Sequence, residues 1–218
     1  MAMTLAYTVL FVIALRDIIR QRTFHLHHLI ALVIFGLLYD NAIIAIGKFV
    51  GEGELLRTLS LPRFWFHAWF TPLLVIVGWA IMHLSRIRGW HAGSLSFILA
   101  WLVTAGLIVY QSILVALDEV SALKAVSEYG VLRYTPVKES GAPIMVIIVA
   151  GILLLLGLAL AIKRKWPWLL IGVAILFIGR SIPIPVESSA LTNVFELILI
   201  IAMLAGIGRF NKARTNAH

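Results

Sequence analysis

Apolar residues along this chain gather into long runs separated by short polar stretches. Seven runs stand out: Met3–Ile19, Leu29–Phe49, Phe64–Met82, Ser94–Leu117, Pro143–Ile162, Pro167–Ile182 and Ser189–Gly208. Most approach the ~20 residues that a helix needs to cross a hydrocarbon core of about 30 Å. Lipid offers no partner to an unpaired backbone group, so each run is expected to be a helix. Pro143 and Pro167 fall where runs begin, a place proline tolerates because its missing N–H has no helical acceptor there. Arg16 and Asp17 shorten the apolar part of the first run; if it is not a full span, six remain. The expected fold is all-α, a polytopic bundle of seven transmembrane helices forming one domain over residues 1–208. A short basic tail, 209–218, follows. No short-period repeat or pair of related halves is visible.

Two connections are longer than the rest. Lys48–Pro62 contains Gly51-Glu-Gly-Glu-Leu-Leu-Arg-Thr-Leu, which reads as a short interfacial helix opened by acids. In Asp118–Ala142 the first part, Asp118–Ser127, reads as an amphipathic helix and Val131–Val137 as extended chain. Pro72 lies one turn inside the third run, where it should kink the helix and free the carbonyl of residue 68.

Composition sharpens this picture. The 218 residues are 61% hydrophobic and only 13% charged, against about 25% charged in a soluble domain. Mean hydropathy is +1.01. The chain is therefore expected in a membrane, specifically a prokaryotic cytoplasmic (inner) membrane. Its N-terminus has no basic stretch before the first apolar run, so a cleaved signal peptide is not expected. The absence of cysteine excludes disulfides, thiolate metal ligands and cysteine nucleophiles.

Net charge is +8, and the basic residues fall between the runs. Arg16, Arg20, Arg22, Arg86, Arg88, Lys163, Arg164, Lys165, Arg209, Lys212 and Arg214 lie on one side, accompanied by a single acid, Asp17. The other side holds Lys48, Arg57, Arg63, Lys124, Arg133, Lys138 and Arg180, diluted by most of the acids. The positive-inside rule then places the N-terminus outside and the C-terminus in the cytoplasm. Anionic lipid headgroups on the cytoplasmic side are the expected partners of the basic loops. Nucleic acid is not an expected partner.

Candidate chemistry comes from polar residues inside the runs. Asp40 and Asn41 lie near the middle of the second, where a carboxylate costs roughly 2.5–3.5 kcal/mol. Counting 1.5 Å per residue puts Asp40 roughly 17 Å from the inner end, just outward of the midplane. His67, with Thr71 one turn deeper, descends from the outer surface, and Gln111 and Arg180 fall in outer thirds. Asn193 and Glu196 lie roughly 6–11 Å below the outer surface. The inner halves of the second, third and seventh helices contain no comparable charge. Helical spacing groups these residues on shared faces, so the expected site is an outward-facing polar pocket. Asp40 and His67 are its candidate acid–base pair, with Asn41, Thr71, Gln111, Arg180, Asn193 and Glu196 as ligand-binding groups. The ordinary alternative for each is structural: interhelical hydrogen bonding for Asp40-Asn41, interfacial anchoring for His67 beside Trp65 and Trp69, an ion pair for Arg180 and Glu196. The fifth helix, apolar throughout, is expected to contact lipid over much of its surface.

No cofactor and no metal are expected. His25, His27 and His28 form a metal-like cluster, yet they sit among arginines whose charge disfavours a cation. The last helix has no lysine for a retinal Schiff base. Intramembrane zinc hydrolases of the ceramidase or adiponectin-receptor type use several histidines plus an acid; only His67 qualifies here, so that resemblance fails.

Three functions fit. The pocket binds or acts on a lipid or hydrophobic small molecule; or the chain is a proton- or ion-coupled transporter using Asp40 and Glu196; or it is a non-catalytic sensor or assembly partner. A permeation path needs polar groups on both sides, and the inner half looks dry.

Overall fold

The computed structural model describes residues 1–128, 130–138, 143–181 and 189–215, with side chains throughout except at 180, 181, 189–191 and 213–215. The chain is mostly helical. In order, the helices are α1 (Ala2–Gln21), α2 (Ile30–Val50), α3 (Glu54–Phe70), α4 (Leu73–Leu84), α5 (Leu95–Leu114), α6 (Ile144–Arg164), α7 (Trp168–Ser181) and α8 (Ser189–Thr215). A 3₁₀ turn, Leu26–Leu29, leads into α2, and a π-helical turn, Val115–Glu119, ends α5.

Six helical segments among the described residues are long and apolar enough to cross a membrane: Ala2–Gln21, Leu26–Val50, Glu54–Leu84, Leu95–Glu119, Ile144–Arg164 and Thr192–Lys212. Trp168–Gly179 is apolar but shorter. This set is compatible with a multi-pass integral membrane protein. Apolar side chains on the outside of α1 (Leu5, Val9, Ile19) and α6 (Ile147, Leu155, Ile162) are exposed, as lipid-facing side chains would be.

Helix α4 is the centre. Ten of its twelve residues are buried, and it touches α5, α6, α8 and the 3₁₀ turn. A helix that is apolar all round belongs inside. Lipid tails are as apolar as leucine, so packing rather than water exclusion must hold such helices together, and small residues allow the close approach this needs. Gly78 of α4 lies against Leu153 and Leu156, and Gly157 of α6 lies against the α7 backbone at Leu169 and Leu170. Opposite its exposed apolar residues, α6 buries one face, Met145, Val149, Leu153, Leu156 and Leu160. The spacing of three and four residues marks one stripe.

Some boundaries differ from expectation. The interfacial helix and the third span are one continuous rod, because Pro62 is absorbed inside α3. The chain breaks at Thr71-Pro72, between α3 and α4, where Pro72 is expected to kink it. There Thr104 Oγ1 donates to the Pro72 carbonyl at 3.3 Å, supplying a partner near the break. Ser94 caps α5, its hydroxyl accepting from the Phe97 N–H. Helix α8 runs on to Thr215, through residues expected to form a tail.

The fold is not purely helical. Leu123–Glu128 (β1) and Val131–Pro136 (β2) form an antiparallel hairpin, with Leu123 opposite Pro136 and Glu128 opposite Val131. The amphipathic helix expected over Asp118–Ser127 is therefore overturned. Alternate residues Leu123, Ala125, Leu132 and Tyr134 pack with Ile43 and Leu56 in a small second core, and that period of two favours a strand. The hairpin lies on α2 where Gly47 meets the Leu132 backbone.

Candidate functional site

Six of the eight residues singled out in the sequence fall into separate groups on and beside α2, α3 and α8: Asp40, Asn41 and Asn193 in polar contacts between helices, and His67, Thr71 and Glu196 around a cavity. Asp40 Oδ1 accepts the Nε–H of Arg63 at 2.7 Å. The Arg63 side chain is 8% exposed and that of Asp40 is 28% exposed. Arg63 Nη1 also donates to the Tyr134 carbonyl at 3.3 Å, tying the hairpin to the pair. The expensive carboxylate of α2 thus has a dedicated counterion. Sequence reasoning missed it by starting the third helix at Phe64. Extended back to Glu54, α3 carries Arg63 one turn before His67, on the same face.

Asn41 holds helices together. Its Oδ1 accepts from Asn193 Nδ2 at 2.8 Å, and its Nδ2 donates to the Leu37 carbonyl at 2.8 Å. Its own carbonyl accepts from Thr4 Oγ1 at 3.2 Å. Tyr7, wholly buried, donates its hydroxyl to the Asn193 carbonyl at 3.1 Å. One small network thereby joins α1, α2 and α8. Tyr7 was missed because a lone tyrosine near a chain start carries no signal of its own.

His67, Thr71 and Glu196 converge on one cavity of about 40 Å³. Its other lining residues are apolar and include Val33, Leu37, Leu74 and Leu199. His67 Nδ1 and Thr71 Oγ1 lie 3.2 Å apart, within hydrogen-bond reach across one helical turn. Asp40 does not line this cavity. Gln111 belongs elsewhere: its Nε2 donates to Glu119 Oε1 at 2.8 Å, a buried pair at the end of α5. The expected role of Arg180 lies outside the described side chains.

A second, larger cavity of about 660 Å³ opens at the other end of the helices, where α1 ends, the 3₁₀ turn begins and α8 leaves. Asp17, Gln21, His27 and His28 line it. The 3₁₀ turn folds two imidazoles inward there, to 3% and 2% exposure. Asp17, His27 and His28 place three potential ligand atoms within 4.8 Å of one another. Ala14 and Ile30, both buried, line this cavity, and Val33, one turn further along α2, lines the smaller one.

No family model, curated protein or solved structure matches this chain. The functional reading rests on the geometry.

Proposed function

We propose that the chain is a multi-pass membrane protein with seven spans, N-terminus outside and C-terminus cytoplasmic. Its outward-facing pocket around His67, Thr71 and Glu196 binds, or acts on, a lipid or hydrophobic small molecule. One observation carries this reading: an imidazole from α3 and a carboxylate from α8 meet in a cavity whose remaining walls are almost wholly apolar. Pockets of that composition, with few convergent polar groups, suit a ligand that is mostly hydrocarbon with one polar end. A cavity of 40 Å³ admits a few waters or one small group. The polar end of the ligand therefore enters, while its apolar body lies along the helices. There His67 accepts or donates a proton, Thr71 orients its ring, and Glu196 supplies the complementary carboxylate. Asp40 contributes by fixing α2 and α3 through Arg63, and Asn41 and Asn193 by fixing α2 and α8. The orientation is supported by eleven basic residues on the side given to the cytoplasm.

The test is mass spectrometry of organic extracts from purified protein. An apolar species should accompany wild type and fall at least about tenfold in His67→Ala and Glu196→Gln proteins that keep their helicity, as expected when a buried polar partner worth about 1.4 kcal/mol is lost. Identical extracts from wild type and both variants would overturn the reading.

A further inference from the structure

The cavity at the basic end is unused by this reading, and its chemistry is different. Arg16 and Arg20 from α1 and Lys212 from α8 line it, with Asp17 as its one carboxylate. Among the described residues none of these three cations forms a salt bridge. Asp17 Oδ2 accepts from Gln21 Nε2 at 2.7 Å and faces the Nε2 atoms of His27 and His28 at 3.7 and 3.6 Å.

His28 decides which sign of ligand the cavity suits. The His25 amide N–H donates to His28 Nδ1 at 3.0 Å. A neutral imidazole that accepts at Nδ1 carries its proton on Nε2. That Nε2 is buried and has no hydrogen-bond partner among the described residues; Asp17 Oδ2 is 3.6 Å away. His28 therefore presents an unsatisfied N–H donor, where a metal ligand would need a lone pair. Asp17, His27 and His28 are spaced closely enough to hold a metal, but this tautomer and the three cations oppose one. An unsatisfied donor among uncompensated positive charges calls for an anion.

The apolar part of the lining says which anion. Ile13, Ala14, Ile30 and Ile207 form part of the wall. Ile13 is half exposed and continues at four-residue intervals to Val9 and Leu5, both exposed, a hydrocarbon stripe running from the cavity along the outside of α1. We infer that this cavity seats the headgroup phosphate of an anionic phospholipid, with an acyl chain leaving along Ile13, Val9 and Leu5. Its volume of about 660 Å³ falls within the range of small-molecule sites. Basic pockets between membrane helices are suited to such headgroups.

Native mass spectrometry of the full chain in a neutral detergent tests this, with phosphatidylglycerol and phosphatidylcholine of equal chain length as probes. Phosphatidylglycerol should bind at least about tenfold more tightly. Replacing Arg16, Arg20 and Lys212 together by Gln should weaken it about a hundredfold, at roughly fivefold per cation. A control replacing Lys163, Arg164 and Lys165 by Gln removes the same charge from another loop and should leave affinity unchanged. His28→Leu should weaken binding, and His28→Gln, which restores a donor, should recover part of the loss. Equal affinity for the two lipids, or equal loss in the control, would overturn the proposal. So would displacement of the lipid by millimolar inorganic phosphate, which would mark a free-phosphate site. Stoichiometric uptake of Zn²⁺ or Mn²⁺ that Asp17→Asn abolishes would overturn it too, making the cluster a metal centre.

Discussion

Removing the Asp40 carboxylate alone should destabilise the protein at least as much as removing both members of its ion pair. In Asp40→Leu the Arg63 guanidinium stays buried, 8% exposed at the side chain, with only the Tyr134 carbonyl left as partner. Breaking a fully buried pair from one side costs about 3–5 kcal/mol. Asp40 is 28% exposed, so water already offsets part of the attraction, and about 2–3 kcal/mol is the expected cost. Arg63→Leu should cost a similar amount, because it strands the carboxylate in an apolar stretch of α2. The double variant removes both charges and leaves packing of similar volume, so it should cost no more than either single change. The coupling energy is then about 2 kcal/mol, roughly a thirtyfold change in the folded-to-unfolded ratio. Reversible unfolding in mixed micelles, followed by helical circular dichroism, measures all four corners of the cycle. A coupling below about 0.5 kcal/mol would refute the pair as the reason α2 tolerates its carboxylate. Asp40→Asn gives a second reading: it should lower stability while leaving the apolar species at His67 and Glu196 in place.

Other expectations follow from particular contacts. Gly47→Ala would place a methyl group against the Leu132 backbone; the hairpin must lift, and protease cleavage between β1 and β2 should accelerate at least about tenfold, with little change in total helicity. Gly157→Ala should destabilise by about 1–3 kcal/mol because the α7 backbone lies against it, whereas Gly151→Ala, with open space around it, should be neutral or slightly stabilising in the same unfolding assay. A cycle on Asn41→Leu and Asn193→Leu should give a coupling of about 0.6–1.7 kcal/mol, the range of interhelical polar contacts in membranes, and zero coupling would dissolve the α2–α8 clip. A reporter fused to the C-terminus should be active only in its cytoplasmic form, and an active periplasmic reporter there would reverse the orientation.

Much of the architecture was legible because it depends on composition over long windows. Runs of twenty apolar residues specify helices by the absence of any other way to satisfy a backbone in lipid. Ser94 at the start of α5 and Pro72 at a break are local events with local causes. The hairpin was misread because Asp118–Ser127 has residues that suit either period, and only the hydrophobic seat made by Ile43 and Leu56 selects two over 3.6.

The candidate site divides in the same way. Depth along a helix is arithmetic, so the sequence alone could put Asp40, Asn41, His67, Thr71, Asn193 and Glu196 toward the same end of the apolar runs. It could also show that a carboxylate in α2 needs a reason. Partnership is another matter, because it depends on how helices rotate and cross. Tertiary structure alone paired Asp40 with Arg63, joined Asn41 to Asn193, brought His67 and Glu196 to one cavity, and sent Gln111 to Glu119. It alone turned His27 and His28 inward. A loop histidine among arginines looks solvated until a short 3₁₀ turn and two helix ends close around it, and no spacing along the chain encodes that closure.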